Sequence, residues 1–261
     1  MFRDLFKKSK YLKYAPTILL NFKNLGDVFS LIFGAKKSSE TGTVVKLRSG
    51  ERFQVGHYLD LLTVSEVFLG HEYDTKLLHP HVIVDIGANI GTFSVLSAKL
   101  HPQATIYAFE PAPATFKHLK KNLELNGVKN VIASDRALSA KTETRQFFQS
   151  NSSGLSSFHL ERKGGTYVNV ECISFADLMR EKNIEKIDYL KMDCEGAEYE
   201  ILMDCPSEVL QKIKNIVLEY HNGITKFNHH DLLTFLKTQG FQVKSKRHAI
   251  ENDIGLIHAW R

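Results

Sequence analysis

Five acidic residues stand where apolar runs of this 261-residue chain end: Asp85 after "VIV", Glu110 after "IYAF", Asp135 after "VIAS", Asp193 after "YLKM" and Glu219 after "IVL". Tyr220 and His221 follow the last of them. A carboxylate at the end of a buried strand can accept hydrogen bonds from ligand hydroxyls, take a proton as a general base, or help to hold a divalent cation. Which of these applies depends on what the neighbouring turns can bind.

The turn after the first run reads Asp85-Ile86-Gly87-Ala88-Asn89-Ile90-Gly91. In an open parallel sheet this is the default cofactor site, because ligands bind beyond the carboxyl ends of the strands. A dinucleotide requires G-x-G-x-x-G, so that the backbone can approach the pyrophosphate and the helix can pack closely. Aligned on Gly87, the second glycine position is Asn89 and the third is Thr92. A cofactor without a pyrophosphate needs no such approach, and S-adenosylmethionine is one. The spacing then predicts Asp85 toward the ammonium of the methionine tail, directly or through water, with Gly87, Asn89 and Gly91 shaping the turn around tail and ribose. Glu110, about twenty residues on, is expected to accept from both ribose hydroxyls. Asp135 and Ala137 are expected beside the adenine.

In the second half of the site Asp193 and Glu219 end two adjacent strands, and His221 lies close by. An alcohol attacking an activated methyl group must still lose its proton. Asp193 or His221 can take it, or a divalent cation such as Mg²⁺ held by Asp193 and Glu219 can acidify the hydroxyl. The base reading is preferred, since two carboxylates are few for a dedicated metal site. Asp193 also precedes a helix, so it competes with a plain capping role. Cys194 reads as a small packing residue.

These residues need a scaffold. From residue 82 short apolar runs alternate with helical stretches, the signature of βαβ units and a parallel sheet covered on both faces. Strands are predicted over 82–86, 105–109, 130–134, 187–192 and 216–219. Helices are predicted over 92–100, 114–125, 175–181, 197–203 and 231–239, with Gly127 and Gly240 at left-handed helix ends. The tail suggests a terminal β-hairpin. Residues 143–173 form a long interruption between two strand-like runs, and stretches of that kind are usually functional. Ahead of the main domain (73–261), an extension (1–72) reads as one or two helices, a hairpin in "GTVVKLRSGERFQV" and a short helix near 61–68.

Four segments, "VIVDIGANIGTFS", "IYAFEP", "IDYLKMDCEGAEYEIL" and "NIVLEYH", together resemble the FkbM family of S-adenosylmethionine-dependent methyltransferases. The D-x-E-G-x-E block of Asp193, Glu195, Gly196 and Glu198 is the most specific part, and the family's Gly/Ser motif is matched by Gly154-Leu155-Ser156-Ser157. The resemblance implies a class I methyltransferase (Rossmann-like) α/β fold. It also implies O-methylation of a hydroxyl on a sugar, polyketide or related metabolite, a small-molecule acceptor.

Composition narrows the rest. Hydrophobic residues make up 43% and charged residues 24%, too apolar for disorder. The formal net charge of +5 is weak support for a polyanionic partner, and no nucleic acid is expected. A base methyltransferase would carry an Asn/Asp-Pro-Pro-aromatic turn after the fourth strand, where this chain has Asp-Cys-Glu-Gly. A nicotinamide-dependent oxidoreductase is the alternative from another class, and the failed glycine pattern speaks against it. Three cysteines with no C-x-x-C pair indicate neither a disulfide framework nor a thiolate zinc site, which suits a reducing cytoplasm. No run reaches the ~20 apolar residues of a membrane span. The basic amphipathic start can lie on an anionic membrane, but a helical cap on the main domain is the preferred reading.

Overall fold

The structure, a computed structural model, describes residues 15–33, 42–56, 58–68, 73, 79–150, 156–158, 165–248 and 252–261. Gly154 and Leu155 of the Gly/Ser motif, and the basic residues before Ala15, lie outside these.

Seven strands form the central sheet. Three parallel neighbours, β3 (Val82–Ile86), β4 (Thr105–Phe109) and β5 (Val131–Ser134), lie on one side, and β9 (Tyr189–Met192) and β10 (Asn215–His221) continue it on the other. The spatial order is β11-β12-β10-β9-β3-β4-β5, with β11 (Gln242–Arg247) and β12 (Ile254–Trp260) as the terminal hairpin. β12 inserts antiparallel between β11 and β10 over the full seven residues of β10. That pairing is why β10 runs on to His221 instead of ending at Glu219, since each added residue gains ladder partners. The order reverses between β3 and β9, so the carboxyl ends of those two strands flank the crevice where a ligand is expected.

The crossover helices follow the local code closely. α4 (Thr92–Leu100) and α6 (Phe175–Glu181) begin and end where the pattern places them, and α5 (Pro113–Leu125) starts on a proline whose missing N–H costs nothing in a first turn. Gly127 and Gly240 take φ of 62° and 86° after their helices. α8 (His229–Thr238) starts two residues earlier than its apolar pattern, because Asn228 and Asp231 form a reciprocal capping box. The interruption at 143–173 is a β-hairpin of β7 (Thr144–Ser150) and β8 (Gly165–Ile173), to which the two-residue β6 (Ala137–Leu138) adds in parallel. β6 has no sequence signal of its own; it exists because β8 is there to pair with.

The extension is bonded into the main body. Its helices α1 (Ala15–Asn21) and α2 (Leu25–Ile32), and its hairpin of β1 (Thr43–Lys46) and β2 (Arg52–Val55), bury Phe22, Val28, Val45 and Phe53 in one cluster with Ile90 and Leu119. Asn122 on α5, fully buried, accepts from Gln54 N (2.6 Å) and donates to Ile90 O (2.8 Å). The cap reading of α1 and α2 thus holds for their inner faces. The next helix, α3 (Tyr58–Phe68), brings Thr63 and Glu66 to the wall of the main cavity. The boundary drawn at residues 72–73 therefore runs between side chains that line one cavity.

Candidate active site

A cavity of about 210 Å³ opens at the carboxyl ends of β3, β4, β9 and β10. A single water needs only ~10–15 Å³ on the same measure, so there is room for an organic ligand. Gly87, Asn89, Glu110, Ala137, Asp193 and Glu219 all line it.

The turn after β3 forms one wall. Gly87 has φ +69°, and a Cβ built there would lie 1.8 Å from the Asp193 carbonyl oxygen. Its lack of a side chain therefore admits the backbone that follows β9. Asn89 adopts a left-handed φ of 50°, a conformation that Asn tolerates better than most residues. Its Oδ1 is buried and has no hydrogen-bond partner among the described residues; the same is true of Thr92 Oγ1, and both residues line the cavity. Unpaired buried polar atoms in a cavity wall are costly unless a ligand or water satisfies them.

Glu110 closes that wall. Asn89 N donates to its Oε2 (2.9 Å) and Ala112 N to its Oε1 (2.9 Å), so the carboxylate is held in one orientation with lone pairs to spare. Burial pushes its pKa up to about 7, against the two N–H groups and Lys191, which pull it down.

The opposite wall carries the acids of β9 and β10. Tyr73 Oη lies 3.4 Å from both Asp193 Oδ2 and Glu219 Oε2. The helix-capping reading of Asp193 fails. α7 (Glu198–Met203) has Ala197 as its N-cap, and the N–H groups of Cys194 and Gly196 donate to Glu198 (both 2.9 Å). The side chain of Asp193 stays one-third exposed at the cavity.

Four predicted residues sit elsewhere. Asp85 is fully buried behind the wall: Ser94 Oγ donates to its Oδ2 (2.6 Å), and Lys191 Nζ is 3.2 Å from its Oδ1. It cannot meet a ligand's ammonium group directly, because it is fully buried and absent from the cavity lining. Gly91 is absent from the cavity lining; its φ of +87° opens α4, and a Cβ there would lie 2.5 Å from Leu119 Cδ1, so its role is helix packing. Asp135 is exposed, because the bend at 135–136 turns it outward, and Ala137 reaches the cavity without it. His221 is buried behind Glu219, with Nδ1 3.2 Å from Glu198 Oε1 and Nε2 3.5 Å from Glu219 Oε1. Burial alone would lower its pKa, but the Glu198 carboxylate outweighs this and raises it to about 10. At neutral pH it is an imidazolium, the wrong protonation state for a base.

Lys191, which sequence reasoning passed over, proves central. It donates to Gly87 O (2.8 Å) and lies within 4.0 Å of Asp193 Oδ2. Burial would strip its proton, but Asp85 and Asp193 together hold the ammonium charged. Its signal was a lone lysine inside an otherwise apolar run; Tyr73 had no local signal, and nothing local showed that Glu198 and His221, each singled out, would pair with one another. Cys194 lines the cavity, but burial and the neighbouring carboxylates of Glu198 and Asp193 raise its thiol pKa well above the usual range, so it is no nucleophile. Ser157 Oγ donates to Glu195 O (2.8 Å), tying the Gly/Ser motif to the turn after β9.

Comparison with known proteins identifies the family. A profile described as the Methyltransferase FkbM domain matches residues 85–243, more than half of the chain. Methyltransferase sdnD of Sordaria araneosa is 35% identical over 188 residues, covering 59% of this chain and 72% of the relative. The 31-O-demethyl-FK506 methyltransferase FkbM of Streptomyces tacrolimicus is 23% identical over 234 residues, covering 78% and 87%. Among solved structures, methyltransferase FkbM from Methylobacillus flagellatus superposes with a TM-score of 0.52 at 13% identity, covering 97% of this chain and 60% of that one, a likeness of fold. The dinucleotide oxidoreductase alternative falls with these matches. The chain belongs to the FkbM family and is an S-adenosylmethionine-dependent methyltransferase of the class I fold.

Proposed function

We propose that this enzyme methylates a hydroxyl group of a small metabolite, a sugar, polyketide or related compound, with Asp193 as the general base. The observation that carries this reading is the pairing of Asp193 and Glu219 across Tyr73 Oη at the cavity, backed by two buried cations that hold the acids in place. The FK506-modifying relative, whose name specifies an O-demethyl compound as what it methylates, supports an oxygen acceptor.

The residues present suit the methyl donor. Glu110 would accept from the ribose hydroxyls, Asn89 and Thr92 offer unpaired polar atoms, and Phe109, Ala137 and Leu138 supply an apolar surface for the base. Charge points the same way. Asp193 and Glu219 place two carboxylates in the cavity wall, a lining suited to a cation. When bound, S-adenosylmethionine supplies a methyl group already activated by its sulfonium. The chain's remaining work is to align the acceptor and remove its proton. Asp193 Oδ accepts the proton of the acceptor hydroxyl as the oxygen attacks. The imidazolium of His221 and the ammonium of Lys191 keep Glu219 and Asp193 from repelling each other out of position.

A second reading has one observation in its favour: ligand atoms of Asp193, Glu219 and His221 lie within 4.8 Å of one another, close enough to share a cation such as Mg²⁺. A histidine ligand must be neutral, and the Glu198 carboxylate favours the protonated form of His221, so a cation would have to compete with that proton for the third ligand.

The test is transfer of labelled methyl from S-adenosylmethionine to a panel of sugars and hydroxylated metabolites, with and without a chelator. Label in an ether product that survives chelation is expected. Label only on amines would overturn the oxygen acceptor, and abolition by chelator would overturn the base mechanism. A pH measurement tests the ribose assignment. Because the ionised Glu110 accepts from hydroxyls, affinity for S-adenosylhomocysteine should rise as pH climbs through about 7. Glu110→Gln should flatten that profile, and Glu110→Ala should weaken binding about tenfold or more, the loss of roughly one charge-assisted hydrogen bond. A profile in the wild type as flat as in the Gln variant would argue against a ribose contact.

A further inference from the structure

At residues 156–158 the chain passes beside the cavity as a short strap, fixed at two points. Phe148 on β7 and Ser157 exchange backbone hydrogen bonds in both directions (3.0 Å each), an antiparallel pairing that holds the strap extended. Successive side chains of an extended segment point to opposite faces. Ser157 takes the face away from the cavity, where its Oγ donates to Glu195 O (2.8 Å) in the turn after β9. Ser156 and Phe158 share the other face, and both line the cavity. Phe147, next to Phe148 on the paired strand, lines it as well.

Phe158 is packed from behind. The guanidinium carbon of Arg145, a residue absent from the cavity lining, stands 4.2 Å from the centroid of its ring. The same guanidinium donates to Ser139 Oγ (2.9 Å), just after β6, and to the Glu200 carboxylate on α7, so the cation is anchored on two other elements. Arg145 and Phe147 are two residues apart on β7 and share a face, and the Phe147 ring meets Phe158 edge-on, with centroids 5.0 Å apart. A half-buried phenylalanine is thereby held in one place at the cavity wall. Where it stands decides what it can touch. Phe158 packs against a buried cluster that includes Ala112, Ala137 and Phe147. Ala137 lines the cavity, and Ala112 N donates to Glu110 Oε1 (2.9 Å). The ring is therefore on the Glu110 side of the cavity. A purine there gains stacking from an aromatic ring that an aliphatic side chain of similar volume does not supply.

We propose that Phe158 covers the adenine base of the methyl donor, and that Arg145 is a positioning residue that holds the ring there from outside the cavity. The proposal rests on the reading of Glu110 as the ribose acceptor, which puts the base on this side. It gives the β7–β8 hairpin, an insertion between the third and fourth parallel strands, a part in binding the donor.

The experiment is calorimetric titration of the full chain with S-adenosylhomocysteine and with adenosine, which lacks the methionine tail. Phe158→Leu keeps the apolar volume and removes the ring, so it should weaken both ligands by the same factor, about tenfold. Phe158→Tyr keeps the ring and should stay within about threefold of wild type. Arg145→Met should weaken both ligands by about threefold to tenfold, yet add nothing in the Phe158→Leu background, because Arg145 acts through the ring. Unchanged binding in Phe158→Leu would overturn the proposal, as would a loss for S-adenosylhomocysteine that adenosine does not share. Losses that add in the double variant would remove Arg145 from its positioning role. Glu110→Ala keeps the two readings apart: weaker binding there with none lost in Phe158→Leu sinks this proposal alone, and unchanged binding in both sinks the ribose assignment with it.

Discussion

Asp193→Asn should lower kcat by about 10²–10⁴-fold, the range expected when a general base is removed, while S-adenosylhomocysteine binds as before. The substitution keeps shape and hydrogen-bonding reach but cannot accept the proton, so a loss confined to kcat would mark a chemical role. The surroundings make the test clean. Asp193 caps no helix, its side chain faces the cavity, and Glu198 holds the turn that follows β9. Removing the Asp193 charge also leaves Lys191 with Asp85 at 3.2 Å, so the ammonium is not stranded. Turnover within a few-fold of wild type would show that the proton leaves by another route and would return Asp193 to a structural part.

The second large effect concerns stability. His221→Ala leaves Glu198, fully buried, without its counter-ion. Breaking a buried pair by removing one partner costs about 3–5 kcal/mol, which for a chain of this size lowers Tm by roughly 6–20 °C. The pH dependence gives a signature. His221 has a folded pKa raised to about 10, so its contribution is fully present below its ordinary value of 6.5 and is lost as pH rises from there through about 10. Glu198 has a lowered folded pKa, so its contribution is present above its ordinary value near 4.5 and fades as pH falls below that. Between those limits the wild type should show a plateau of stability. In His221→Ala the edge on the alkaline side should flatten. The double variant Glu198→Gln/His221→Ala buries no unpaired charge and should recover most of the loss; failure to recover would mean that packing, not charge, is what His221 supplies.

Several features were legible without a structure because they are decided within a few residues. The strands at 82–86 and 105–109 and the helices at 92–100 and 175–181 have the bounds that periodicity and turn chemistry predict. The alignment that rejected a dinucleotide turned on Asn89 and Thr92, and these are the two cavity-wall residues with unpaired buried polar atoms. Glu110 and Asp193 were readable as cavity-lining residues because ending a parallel strand places a side chain at the crevice beyond the sheet. The same rule over-reached for Asp85 and Asp135. It gives the edge of the sheet on which a residue stands, and not whether a neighbouring strand supplies a partner or a bend turns the side chain outward.

What the chain determines by itself is therefore its local structure, its fold class and the set of acids available at one edge of the sheet. Contacts between distant segments decided how those acids are used. Lys191 neutralises Asp85 from 106 positions along the chain, His221 is charged by Glu198 from an adjoining element, and Tyr73 reaches Asp193 and Glu219 from the approach to the first sheet strand. Periodicity and turn preferences are fixed by neighbours within a turn or two. A protonation state depends on the charges and the burial around a group, and for these residues both come from parts of the chain that meet only on folding.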